Sequence, residues 1–101
     1  MISDDTTLGT FAGKKHDSLK PDYMLLPWRQ IKQVVKVMDF GALKYEPNAW
    51  QLVPQGRRRY LSAAMRHISA IADGEKYDEE SGLHHAAHAV CCLLFVMFFD
   101  E

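Results

Sequence analysis

Residues 66–88 read RHISAIADGEKYDEESGLHHAAH and carry four of the chain's five histidines. The stretch joins two apolar helical patterns. Upstream, Leu61, Ala64, Met65, Ile68, Ile71 and Ala72 recur at three- and four-residue spacing, which predicts the core face of a helix over 57–72. His67 falls at the edge of that face, beside Tyr60, Ala64 and Ile71. Gly74 suits the helix stop. An acidic connection, EKYDEES over 75–81, follows. Asp78 or Ser81 suits the cap of the next helix, and Glu79 and Glu80 favour its positive end. That helix continues to about residue 99, and over 90–99 it is apolar all round. Both helices can feed side chains into one pocket.

Working outward, Pro27 suits a first helical turn. Trp28, Ile31, Val34, Val35, Met38 and Ala42 predict one buried face of a helix over 27–42, with Arg29, Lys32, Gln33, Lys36 and Asp39 on the other side. Gly41 is expected to loosen its end. Residues 44–50 read as a loop, because Pro47 disfavours helix at Glu46. Lys44, Tyr45, Asn48 and Trp50 give that loop a cation, two aromatic surfaces and an amide. Such a set can hold a base and a phosphate; equally, Trp50 and Tyr45 can cap the core. Residues 1–19 are polar and without period, which predicts a flexible arm or strap, and 20–101 then form a single domain. No repeat or strand-like alternation stands out. The expected fold is all-α, a small bundle of about three main helices. A helix apolar all round must be buried, and so small a bundle cannot hide it alone. A homo-oligomer joined through the C-terminal helix is therefore expected.

The chain has 101 residues, enough for one domain with a small core. A formal charge of −1 argues against a nucleic-acid duplex as partner. Arg57, Arg58 and Arg59 cluster at a helix start, where positive charge opposes the helix dipole. That suits contact with a small anion, although a solvated helix start has the same composition. Cys91 and Cys92 are adjacent within an apolar run and make no disulfide framework. They read as packing residues in a reducing compartment. The first residues lack the basic-then-apolar order of a signal peptide. The apolar run over 86–99 is broken by His88 and falls short of the roughly 20 residues that span a bilayer. A soluble, cytoplasmic protein without a membrane partner is expected.

Ser81, His84, His85, His88 and Cys91 or Cys92 form a stripe at helical spacing. His84 and His88, or His85 and His88, can aim two imidazoles at one spot. Glu75, Asp78, Glu79 and Glu80 lie just upstream, and His67 comes from the preceding helix. In one reading these groups hold a divalent ion, and water attacks a substrate phosphorus. Carboxylates suit magnesium or manganese, and imidazoles favour manganese or zinc. In the other reading the acids are a solvated helix start and the histidines are hydrogen-bonded core residues. The HxxxH spacing alone is a weak signal, and no HExxH motif or phosphate-binding glycine loop is present.

An ordered series of blocks resembles the phage-encoded dATP/dGTP diphosphohydrolase N-terminal domain family. The blocks are Lys20-Pro21 with Leu25-Leu26-Pro27, Phe40-Gly41-Ala42 with Lys44-Tyr45, Asn48 and Trp50, and Arg58-Arg59-Tyr60. They continue with Arg66-His67, Gly74-Glu75 with Asp78, Glu80-Ser81-Gly82-Leu83, and His85 with His88-Ala89. The resemblance covers about 20–97. It implies an all-α nucleotide pyrophosphohydrolase, akin to MazG-like enzymes, which are oligomeric bundles splitting a dNTP into dNMP and pyrophosphate with magnesium or manganese. By the same resemblance, Lys44, Arg58 and Arg66, with Lys20 beside them, would meet phosphates. Tyr45, Asn48 and Trp50 would lie near the base or sugar. Glu75, Asp78 and His67 would be catalytic, and Glu75, Asp78, Glu80, His85 and His88 would hold the metal. The sequence departs from MazG-like enzymes in having no EExxE; His85 and His88 stand where their ExxD would be, and Gln33 where relatives often carry a glutamate. That thinner carboxylate set leaves an alternative: a phage protein that binds and sequesters a nucleotide or cyclic nucleotide immune signal without cleaving it.

Overall fold

A computed structural model describes residues 20–101; the arm expected over 1–19 lies outside the described residues. Three helices make the fold: α1, Trp28–Lys44; α2, Gly56–Ala72; and α3, His85–Phe99. Short 3-10 turns occupy Tyr23–Leu25 and Ala49–Leu52. The described residues contain no strand, only an isolated bridge between Tyr77 and His84. The all-α expectation holds. Among the described residues, no helix is long and apolar enough to cross a membrane.

α1 starts after Pro27, whose carbonyl accepts from the amides of Gln30 and Ile31, each at 3.0 Å. Gly41 does not end it. The helix runs through Lys44, and Tyr45 N–H closes onto the Gly41 carbonyl at 2.9 Å. Lys44 in the last turn complements the helix's negative end. Part of the expected loop over 44–50 is thus helical, and Ala49–Leu52 forms a 3-10 turn after the left-handed Asn48.

α2 ends as its sequence predicts. Glu75 N–H bonds the Ala70 carbonyl at 3.0 Å and Gly74 N–H bonds that of Ile71 at 2.9 Å, with Gly74 at φ 93°. This crossed pair needs a left-handed residue, which glycine adopts without a Cβ penalty.

α3 begins later than expected, and neither Asp78 nor Ser81 caps it. Residues 76–84 instead fold back on themselves. Asp78 N–H meets the Leu83 carbonyl and His85 N–H meets that of Lys76, both at 2.8 Å. One oxygen of the Asp78 carboxylate, Oδ2, is engaged inside this loop, accepting from Ser81 N–H at 2.9 Å. His84 takes the cap position, its Nδ1 accepting from Ala86 N–H at 2.9 Å.

α3 is the central helix. α2 packs along it, α1 packs beside it, and α1 and α2 barely meet. The core joins Val34 and Val37 of α1 to Ala87 and Cys91 of α3, with Leu83 and Phe95 against them. Two predicted faces turn out rotated. On α1, Val37 is buried and Val35 is 50% exposed. On α2, Gly56 and Ala64 are buried, whereas Met65, Ile68 and Ile71 are exposed. The small residues let α3 approach closely, and the histidines of α3 draw His67 inward. The most apolar sector of α2 is therefore not its packed sector. On α3, Val90, Leu93, Leu94 and Met97 remain exposed in the single chain.

Candidate metal and nucleotide site

Because α1 and α2 diverge across α3, a cavity of about 440 Å³ opens between them. Its walls come from the end of α1 and the following turn, from Tyr60 and His67 of α2, from Asp78 and Glu80 of the loop, and from His88, Cys91, Cys92 and Phe95 of α3.

At its polar end His67 and His88 line the cavity, and His85 meets His67 outside the lining. His67 Nδ1 lies 2.9 Å from His85 Nδ1. The His67 ring stacks on His88, with centroids 4.6 Å apart and planes 14° apart. His88 Nε2 pairs with the Ser81 hydroxyl at 2.6 Å and stands 3.8 Å from Asp78 Oδ2. The same hydroxyl accepts from Leu83 N–H at 3.1 Å. His85 is buried, and its Nε2 lacks a hydrogen-bond partner, with Glu75 Oε1 3.5 Å away. His67, Asp78 and His85 each bring one ligand atom within 4.8 Å of the other two.

The electrostatics follow from this crowding. Burial pushes His67 below the usual histidine range, and the neighbouring His88 and His85 push it further. Burial also lowers His88, although Asp78 opposes the shift. Burial works to raise the Asp78 carboxyl, but hydrogen bonds from the Ser81 amide and hydroxyl outweigh it and hold it low. The site thus pairs neutral His67 and His88 with an ionised Asp78 near neutral pH. Cys91, pushed up to about 12 by burial, is a packing thiol.

The expected residues divide by position. His67, Asp78, His85 and His88 converge. Glu75 approaches only the outer nitrogen of His85. Glu80 lies across the cavity mouth, paired with Lys44 at 2.5 Å. Lys44, Tyr45, Asn48 and Trp50 all line the cavity, whereas Lys20, Arg58 and Arg66 do not. Arg66 bonds Ser62 on its own helix at 3.2 Å. Trp50 is stacked on Phe95 at 3.9 Å and 8°, with Phe98 and Phe99 edge-on, so it is a wall of the core. Tyr45 is exposed, with Lys44 Nζ 5.4 Å from its ring centre. The stripe expected to include His84 loses it to helix capping.

Asp39 and Tyr60 also line the cavity, although the sequence does not mark either as a ligand contact. Asp39, expected on the outer side of α1, lines the cavity because α1 packs on α3 and leaves that side over the opening. Tyr60 lines it too, seven residues before His67 on the same side of α2, a spacing visible in the sequence.

The donor set can be tested against a divalent ion. An all-oxygen magnesium cage does not fit, since the convergence offers one carboxylate and two imidazoles. A borderline transition-metal ion does fit.

A family model described as dATP/dGTP diphosphohydrolase, N-terminal, matches residues 10–101. The chain is also similar to a dATP/dGTP diphosphohydrolase of Salmonella phage PMBT28, 35% identical over 86 residues. That alignment covers 85% of this chain and 29% of the relative, so the chain spans under a third of the relative's length. No solved structure matches the chain.

Proposed function

The chain belongs to the dATP/dGTP diphosphohydrolase N-terminal family, and on that premise we propose that it forms the nucleotide site of a metal-dependent dNTP pyrophosphohydrolase. The reaction is dATP or dGTP plus water giving dNMP and pyrophosphate. The observation that carries this reading is the convergence of His67, Asp78 and His85, of which His67 and Asp78 line a nucleotide-sized cavity. Ligand cavities commonly measure about 300–1,000 Å³, and this one lies within that range.

Each part of the cavity has a task in this reading. Lys44 is held by Glu80 at the mouth, and a triphosphate competes for it with greater charge. The exposed Tyr45 ring offers a stacking face for the base. Asn48, in its left-handed turn, offers an amide to the base edge or sugar. Neutral His88, outside the metal-ligand set, can accept a proton from attacking water. The hydroxyl of Ser81 gives His88 Nε2 a partner that can pass the proton on. Of the two ions the resemblance implies, manganese fits this donor set; His67, Asp78 and His85 would hold it, and it would lower the pKa of water and offset phosphate charge. The exposed stripe of Val90, Leu93, Leu94 and Met97 supports a second copy of the chain as its cover.

A second reading has its own observation. Only one carboxylate reaches the convergence, while Glu75 and Glu80 are directed elsewhere. A cavity so equipped can bind and sequester a nucleotide or cyclic nucleotide without cleaving it. Mass analysis and phosphorus NMR of dATP and dGTP, after incubation with stoichiometric protein and manganese and removal of the paramagnetic ion by chelation, separate the two. New monophosphate and pyrophosphate resonances are expected. Bound but intact ligand favours sequestration, and neither binding nor turnover with manganese or magnesium overturns both.

A further inference from the structure

The contact between His67 Nδ1 and His85 Nδ1 at 2.9 Å needs a positive bridge. Two bare lone pairs repel, so either one ring holds a proton there or both rings hold a cation. The surroundings of His85 favour the bare form of its Nδ1. Its other nitrogen, Nε2, is buried and unpartnered, and Glu75 Oε1 waits at 3.5 Å. A small movement of the exposed Glu75 side chain lets Nε2–H donate to the carboxylate. The proton is then fixed on Nε2, and Nδ1 becomes a ligand atom.

We propose that His67, His85 and Asp78 form a two-imidazole, one-carboxylate site for a six-coordinate first-row transition-metal ion of the manganese(II), iron(II) or cobalt(II) class, with Glu75 as the positioning residue behind His85. This names the ion of the function proposed above and rests on that reading for the phosphate ligand. The spacing supports the geometry. Nitrogen ligands bound at about 2.1 Å stand about 3 Å apart at right angles and about 3.4 Å apart at the tetrahedral angle. The observed 2.9 Å matches the right angle. His88 does not supply a fourth donor, since its Nε2 is engaged with Ser81 and its ring lies flat on His67. Three donors on one side leave positions open, as in other sites of this ligand set, and phosphate oxygens suit them. Magnesium prefers oxygen throughout and meets only Asp78 here.

Cobalt(II) titration of the full chain, read by visible absorption and calorimetry, tests the site. One ion per chain is expected, with the weak bands of six-coordinate cobalt, not displaced by a large excess of magnesium. His67→Asn should weaken binding at least about 100-fold. Glu75→Ala should weaken it about 10-fold, the lower end for an outer partner, and Glu75→Gln should restore most of that loss. Thermal melts without metal should match wild type for the Glu75 variants. Should His67→Asn fail to fold, the exposed Glu75 pair still decides. Cobalt displaced by equimolar magnesium, or binding unchanged in His67→Asn or Glu75→Ala, overturns the proposal. Magnesium-supported dGTP cleavage without cobalt binding overturns the site and leaves the hydrolase reading. Cobalt binding that depends on His67, without nucleotide cleavage, does the reverse.

Discussion

A methyl group added at Gly56 should destabilise this fold even though it lies in a helix. Gly56 is the first residue of α2 and is buried. A Cβ there would overlap the Phe99 ring, with Cε1 at 2.8 Å and two further ring atoms closer still. The ring cannot simply swing aside. It packs near-parallel to Tyr60 at 6.1 Å, edge-on to Phe98 at 5.2 Å and edge-on to Trp50 at 6.3 Å. Two effects compete. Replacing glycine by alanine in a helix gains about 0.5–1 kcal/mol, whereas overpacking a tight contact costs about 1–3 kcal/mol. The clash should win by about 1–2 kcal/mol. At about 4–8 °C per kcal/mol for a domain of this size, Gly56→Ala should melt about 5–15 °C below wild type. The assay is circular-dichroism melting at one fixed protein concentration, since self-association would shift the midpoint. Phe99→Leu and the double variant complete the cycle, and the alanine should cost at least about 1 kcal/mol less once the ring is gone. A Gly56→Ala protein as stable as wild type would refute the reasoning, because the helical gain would then have exceeded the overlap.

Other outcomes follow from the site and the surface. Asp78→Ala should abolish dNTP turnover while leaving the helical spectrum intact; full activity would move the reacting centre elsewhere. Burial depresses His67 and His88 in the folded chain, so on acidification the unfolded chain takes up those protons first. Their contribution is complete above the unfolded value of about 6.5 and is lost as pH falls through the lower folded values. The urea midpoint should therefore be level near pH 8 and drop by pH 5.5; an unchanged midpoint would contradict neutral histidines. The exposed outer stripe of α3 should hold two or more chains together, so sedimentation at micromolar concentration should find an oligomer. A monomer, with Met97→Lys leaving it unchanged, would remove that expectation.

The three helices were legible because each carries its own spacing of apolar residues, and the stop at Gly74 because only one backbone geometry suits that position. The packed faces were less legible. Met65, Ile68 and Ile71 are the apolar choice on α2, yet Gly56, Ala64 and His67 face α3. Periodicity ranks sectors by hydropathy, whereas close approach selects small side chains and here tolerates a polar one that finds partners. The same limit applies to the site. His67, Asp78, His85 and His88 stood out by density and type. The sequence could not reveal that one Asp78 oxygen is tied into the loop, since that depends on the fold-back of Asp78 N–H onto Leu83. Nor could it separate Trp50 from Tyr45; only the Phe95 ring stacked on Trp50 at 3.9 Å distinguishes wall from binding surface. The role of Glu80 is likewise set by Lys44, 36 residues away in sequence.

The most direct test of the account is cleavage of dGTP in oxygen-18 water with manganese, read by mass spectrometry of both products. The account predicts dGMP and pyrophosphate, with the label on dGMP alone, since water attacks the phosphorus joined to the sugar oxygen. Label on pyrophosphate, release of inorganic phosphate, or dGTP recovered whole from the protein would each contradict it.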